Sequence, residues 1–90
     1  MVIKFSYQDS AQCWQPLSPS QKALLELRRL TALLQAAENI RRRRELARQF
    51  AAFVKGLGAT QVEVIGSGDL FEVLNEALQA EGLGLTWNWI

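Results

Sequence analysis

The chain has 90 residues, about half of them apolar, with a formal net charge of +1, a single cysteine and no histidine. Without histidine it lacks the usual general base, the commonest metal ligand and the switch that titrates near neutrality, so most hydrolase and zinc chemistries lose their customary residue. A lone Cys13 excludes an internal disulfide. A single domain over residues 1–90 is expected, small enough to bury roughly 60 to 65% of its unfolded surface.

Charge is unevenly spread. Between residues 17 and 56, nine basic residues face three acidic ones, whereas residues 57–90 hold five acidic residues and no basic one. The chain reads as a basic middle joined to an acidic end. MVIKFSYQDS has no long apolar core or cleavage site of a signal peptide, and no run approaches the ~18 apolar residues of a membrane span. These features, with the unpaired cysteine, predict a soluble, cytoplasmic chain that does not enter membranes.

Residues 2–7, VIKFSY, set Ile3, Phe5 and Tyr7 against Val2, Lys4 and Ser6, the alternation of a half-buried strand. The next stretch, QDSAQCWQPL, has no clean period and contains Pro16; it predicts a loop, with Trp14 and Leu17 anchoring it to the core. Ser18, Pro19 and Gln21 then resemble a helix start, with a serine cap, proline at the first helical position and a glutamine completing a capping box.

From there to Gly56 no glycine or proline intervenes. One helix of that length would reach roughly 55 Å, beyond the width of a compact domain this small. Leu24, Leu27, Leu30 and Leu34 form one apolar stripe, and Leu46, Phe50, Phe53 and Leu57 form another about 130° round the cylinder. A break between Ala36 and Arg42, with Asn39 capping a second helix, is predicted; the alternative is one long helix paired with another chain.

Past Gly56 and Gly58, residues 61–65 (QVEVI) alternate as a second strand, with Val62 and Val64 on one face. Gly66-Ser67-Gly68-Asp69 makes a turn, and Asp69 with Glu72 supplies a capping box for a helix over residues 70–80. The turn lacks the spacing of a phosphate loop, and Asp69 would put a carboxylate where phosphate should sit. Leu83, Leu85, Trp87 and Trp89 then share one face of a last strand, LGLTWNWI. The predicted fold is a two-layer α+β domain with a three-stranded sheet, in the order β-α-α-β-α-β. Because each strand is apolar on one face only, the helices should cover that face and leave Lys4, Ser6, Gln61, Glu63, Thr86 and Asn88 on the other.

The run "NIRRRRELARQF" carries the densest charge. On a helix, Arg41, Arg44 and Arg48 with Lys55 fall opposite Leu46, Phe50 and Phe53 as an outward basic stripe. Arg42 and Arg43 flank the apolar seam and must snorkel or find carboxylates such as Glu72 or Glu76. Against phosphates the stripe would grip nucleic acid; against solvent it is a wet face. Cys13 has no histidine to activate it, Asp69, Glu72 and Glu76 share one exposed helix face without converging ligands, and Trp87 with Trp89 continue the core series. No catalytic, cofactor or metal site is expected. Trp14, a large aromatic on a loop, is a candidate interface anchor.

The inventory predicts a small non-catalytic protein–protein interaction or regulatory module that self-associates, its partner a second copy or another protein. The alternative is a nucleic-acid-binding protein using Arg41, Arg44, Arg48 and Lys55. Nothing blunts the C-terminal sheet edge, which makes edge pairing into a dimer a route for self-association.

Overall fold

The computed structural model describes residues 2–66 and 68–89, with the backbone alone at Asp69. Strands β1 (Val2–Gln8), β2 (Trp14–Leu17), β3 (Gln61–Gly66) and β4 (Gly84–Trp89) form one mixed sheet, and helices α1 (Gln21–Ala36), α2 (Ile40–Gly56) and α3 (Phe71–Ala80) accompany it. The spatial order is β2-β1-β3-β4. β1 runs antiparallel to both β2 and β3, and β3 is parallel to β4 across the α3 crossover. The class is α+β as expected, but the sheet has four strands and the element order is ββααβαβ.

The added strand occupies the stretch expected to be a loop. Pro16 donates no ladder hydrogen bond, but β2 is an edge strand, where proline is tolerated. Asp9 organises the hairpin turn: one carboxylate oxygen accepts from the amides of Ala11 and Cys13, both at 2.9 Å, and the other from Gln15 Nε2 at 3.1 Å. Gln12 takes up the reversal at a left-handed φ of 62°. Leu17 packs against the core as expected, whereas Trp14 does not: it is opposite Gln8, on the sheet face turned away from the core, and 56% exposed.

Asp9 also makes the hairpin sensitive to acid. The Cys13 amide, then the Gln15 side chain and the Ala11 amide, hold its carboxyl below the ordinary value of 3.8. A depressed folded pKa means that the carboxylate's contribution is complete above that ordinary value and is lost as pH falls through the folded one. The amide chemical shifts of Ala11 and Cys13 should therefore move together below pH 3.8. Asp9→Asn, which still accepts but cannot titrate, should flatten both curves; an unchanged titration in that variant would refute the assignment.

Helix α1 begins two residues later than Ser18 would place it. Ser20 is the cap, its Oγ accepting from the Ala23 amide at 3.2 Å. Pro19 thus precedes the cap rather than occupying the first helical position. The break falls where the phase mismatch demands it. α1 ends at Ala36, and Asn39 caps α2 by accepting from the Arg41 amide at 2.8 Å. An unbroken helix of roughly 55 Å would not fit a domain whose longest dimension is 42 Å.

α1 buries Ala23, Leu27, Leu30 and Leu34, with Leu24 left at the rim, while α2 buries Leu46, Ala47, Phe50, Ala51 and Val54. Phe50 lies over Phe5 with ring centroids 6.5 Å apart, joining α2 to the sheet. Val62, Val64, Val73, Leu74 and Leu78 complete one continuous core between the helices and the sheet's inner face. Gly58, at φ 92°, turns the chain out of α2 in the left-handed conformation glycine tolerates best.

α3 starts at Phe71 after a 3-10 turn over Gly68–Leu70, and its cap residue Leu70 makes no side-chain cap bond. The capping box expected of Asp69 and Glu72, and the middle of the Gly66–Asp69 turn at Ser67, lie outside the described side chains, as does Ile90 of the last strand. A side chain at Gly68 would run into the ring of Trp89, so the turn is closed on that side by an indole.

Candidate interaction surfaces

The surfaces considered for binding are the arginine-rich flank of α2, the open sheet face, an apolar groove beside α1 and the two sheet edges. Arg41, Arg44, Arg48 and Lys55 are all exposed along one side of α2. Arg44 and Arg48 border a shallow groove shared with Val73, Glu76, Ala77 and Ala80 of α3. Lys55 Nζ lies 3.5 Å from the Glu81 carboxylate, the one ion pair among the described residues that joins the basic middle to the acidic end. Among the described residues, no carboxylate is within ion-pair distance of Arg41, Arg44 or Arg48.

The other two arginines of the run find partners other than those expected. Arg42 pairs at 3.4 Å with Glu45 on its own helix, and Arg43 Nε donates to the Ala37 carbonyl at 2.6 Å. Glu72 and Glu76 take part in neither. Arg43 is thus a clasp across the α1–α2 elbow, satisfying a carbonyl beyond the end of α1 that has no successor turn to bond it.

On the open sheet face, register places Lys4, Glu63 and Thr86 in one row and Val2, Ile65 and Asn88 in the next. Two cross-strand hydrogen bonds tie β3 to β4 there, Gln61 Nε2 to Thr86 Oγ1 at 2.7 Å and Asn88 Nδ2 to Glu63 Oε1 at 3.0 Å. Trp14 lies on this face, at the far strand β2. It is not beside the arginines, so the residues singled out as an interaction set divide between the helix layer and the sheet.

The apolar groove, of about 330 Å³, runs between α1 and β1 over Phe5, Leu27 and Phe50, with Leu24 and Arg28 on its rim. It is wide open and holds no converging polar groups.

Among the described residues, the carboxylates and cations whose pKa values are displaced are Asp9 and Glu26, both half-buried, and Arg29, which is exposed; each answers to local partners. Glu26 is lowered and Arg29 raised chiefly by the hydrogen bond they share one helical turn apart. These groups do not converge in a cleft as catalytic pairs do. Among the described residues no three cysteine, aspartate or glutamate side chains come together as metal ligands, and no helix is long and apolar enough to cross a membrane.

The sheet edges differ sharply. β2 is four residues long and carries Pro16, both features that discourage pairing. β4 is six residues long, GLTWNW, with neither charge nor proline. It ends at Trp89, which is 65% exposed although it belongs to the inward-facing series. Trp87, Trp89 and Phe71 form a cluster with centroids 5.6 to 6.0 Å apart, and Trp87 Nε1 donates to the Gly66 carbonyl at 3.3 Å. Comparison of the chain with protein-family models, curated proteins and solved structures found no match.

Proposed function

We propose that this chain is a non-catalytic protein–protein interaction module that associates with itself, acting in a reducing, cytoplasmic setting suited to its free, exposed Cys13. The observation that carries the reading is the inequality of the sheet edges. One edge is short and interrupted by Pro16; the other is longer, uncharged and flanked by an exposed tryptophan. An unprotected edge of that kind is a template for another strand, and a large exposed aromatic beside it supplies apolar area for an interface. Histidine is absent and the displaced carboxylates are scattered, which supports a binding role over catalysis.

Sedimentation equilibrium across a range of concentrations tests the proposal. The expected result is a reversible dimer that persists at high salt, because neither edge strand carries a charge. A monomer throughout the micromolar range would overturn it.

A second reading, nucleic-acid binding through Arg41, Arg44 and Arg48, is favoured by the lack of an ion-paired carboxylate at these three among the described residues. Glu76 beside Arg44 and Arg48 weakens it by placing a negative charge in the groove where phosphate would lie. Gel retardation of mixed DNA and RNA at low salt separates the two readings.

A further inference from the structure

We infer that β4 pairs antiparallel with β4 of a second copy, in the register that opposes Trp87 to Trp87 and Trp89 to Leu85, and so continues the sheet across a two-fold axis. The inference rests on the self-association proposed above and deepens it by naming the strand, the register and the seam.

The backbone sets the register. In a parallel ladder every second residue turns both its N–H and its C=O toward the same neighbour. The Gly84 amide donates at 3.0 Å to the Thr60 carbonyl, just ahead of β3, and Gly84 is in register with Gln61. Gly84, Thr86 and Asn88 therefore face β3, and Leu85, Trp87 and Trp89 turn their backbone groups outward. An antiparallel neighbour must match outward residues with outward residues to form closely bonded pairs. For two identical copies, the register that engages all three outward residues opposes Leu85 to Trp89, Trp87 to Trp87 and Trp89 to Leu85.

The side chains suit the same arrangement. On the helix side, Trp89 of one copy would cover Leu85 of the other, an aromatic–aliphatic cross-strand pair, and the two Trp87 residues would meet at the axis. That contact would bury the indole now exposed. On the open face Thr86 would oppose Asn88, two polar residues able to hydrogen-bond across the seam. No like charges meet, because β4 has none. A two-fold axis normal to the sheet keeps both helix layers on one side. The other edge, blunted by Pro16, ends the extended sheet at each side, so pairing closes at a dimer and does not propagate into a fibre.

Thr86 and Asn88 give a direct test, because opposed residues of a non-bonded antiparallel pair have Cα atoms about 4.5 Å apart, within disulfide range. With Cys13 replaced by serine, Thr86→Cys and Asn88→Cys chains are prepared separately and oxidised alone or as an equimolar mixture. Both positions are exposed on the open face, and circular dichroism of each variant checks that the fold is retained.

The mixture should cross-link at least about tenfold faster than either variant alone, since identical positions lie on a diagonal roughly 7 to 8 Å apart. A folded dimer that cross-links no faster in the mixture would overturn the register and the β4 seam while leaving self-association standing. A monomer by sedimentation would remove both. A chain that is monomeric by sedimentation yet binds an unrelated extended peptide would assign the edge to a foreign strand and reject the second copy.

Discussion

Replacing Phe50 by alanine should cost about 3 to 4 kcal/mol, a large share of the roughly 5 to 15 kcal/mol that holds a domain together. Phe50 is 1% exposed and lies over Phe5, so its ring is shared by α2, the sheet and the floor of the groove beside α1. Truncation removes the burial of the ring and leaves a void that α1 and β1 cannot both close, since each is held elsewhere. Phe53→Ala is the control: it sits on the same helix but is only half-buried, and should cost about 1 to 2 kcal/mol. Urea denaturation of the two variants measures the difference. Equal losses would mean that the core is not centred on the Phe5–Phe50 contact.

The second large effect is expected within the arginine run, at one position of four. Arg43→Ala should destabilise the chain by about 1 to 2 kcal/mol, because it strips a charge-assisted donor from the Ala37 carbonyl at a partly buried joint. Arg41→Ala and Arg44→Ala should stay within about 0.5 kcal/mol of the native chain, as surface changes usually do. Arg42→Ala loses only an exposed pair with Glu45, worth about 0.3 to 0.5 kcal/mol. Arg43→Met keeps most of the aliphatic stem and removes the donor, so a loss nearly as large as that of alanine would attribute the effect to the hydrogen bond. Four similar losses would show instead that the run acts through its net charge.

Much of the architecture follows from periodicity. Alternation in VIKFSY, QVEVI and LGLTWNWI marks β1, β3 and β4 and the face each gives to the helices, and the shift of apolar phase between Leu34 and Leu46 locates the elbow that Asn39 caps. These signals were readable because burial on one face is written into each element's own residues. β2 was not, because Trp14, Gln15, Pro16 and Leu17 show no such alternation of polarity, and the strand owes its place to pairing with β1 and to the Asp9 turn. Two serines flank Pro19, and Ser20 rather than Ser18 caps the helix.

The candidate interaction surface was legible only in part. That the C-terminal edge is unprotected could be read from the composition of β4, but the exposure of Trp89 could not. Its alternation with Leu85 and Trp87 points inward, while α3, beginning at Phe71, leaves the outer part of its ring bare. The fates of Arg42 and Arg43 also depend on tertiary geometry: a neighbour on the same helix and a backbone carbonyl served them in place of the acidic end.

The sheet's order bears on how the chain reaches this state. β1 with β2, and β3 with α3 and β4, are two local units that assemble from neighbouring segments. They are joined in the sheet along β1–β3, where Phe5 stands opposite Val62 and the closed loop contains the whole of α1 and α2. That closure has to be made before either unit gains a full sheet beneath it, and its entropy is repaid only once Phe50 and Val54 have somewhere to dock. Because the middle seam of the sheet closes the longest loop between paired strands, weakening it, as by Val62→Ala, is expected to slow refolding in stopped-flow measurements more than an equally destabilising change within a helix.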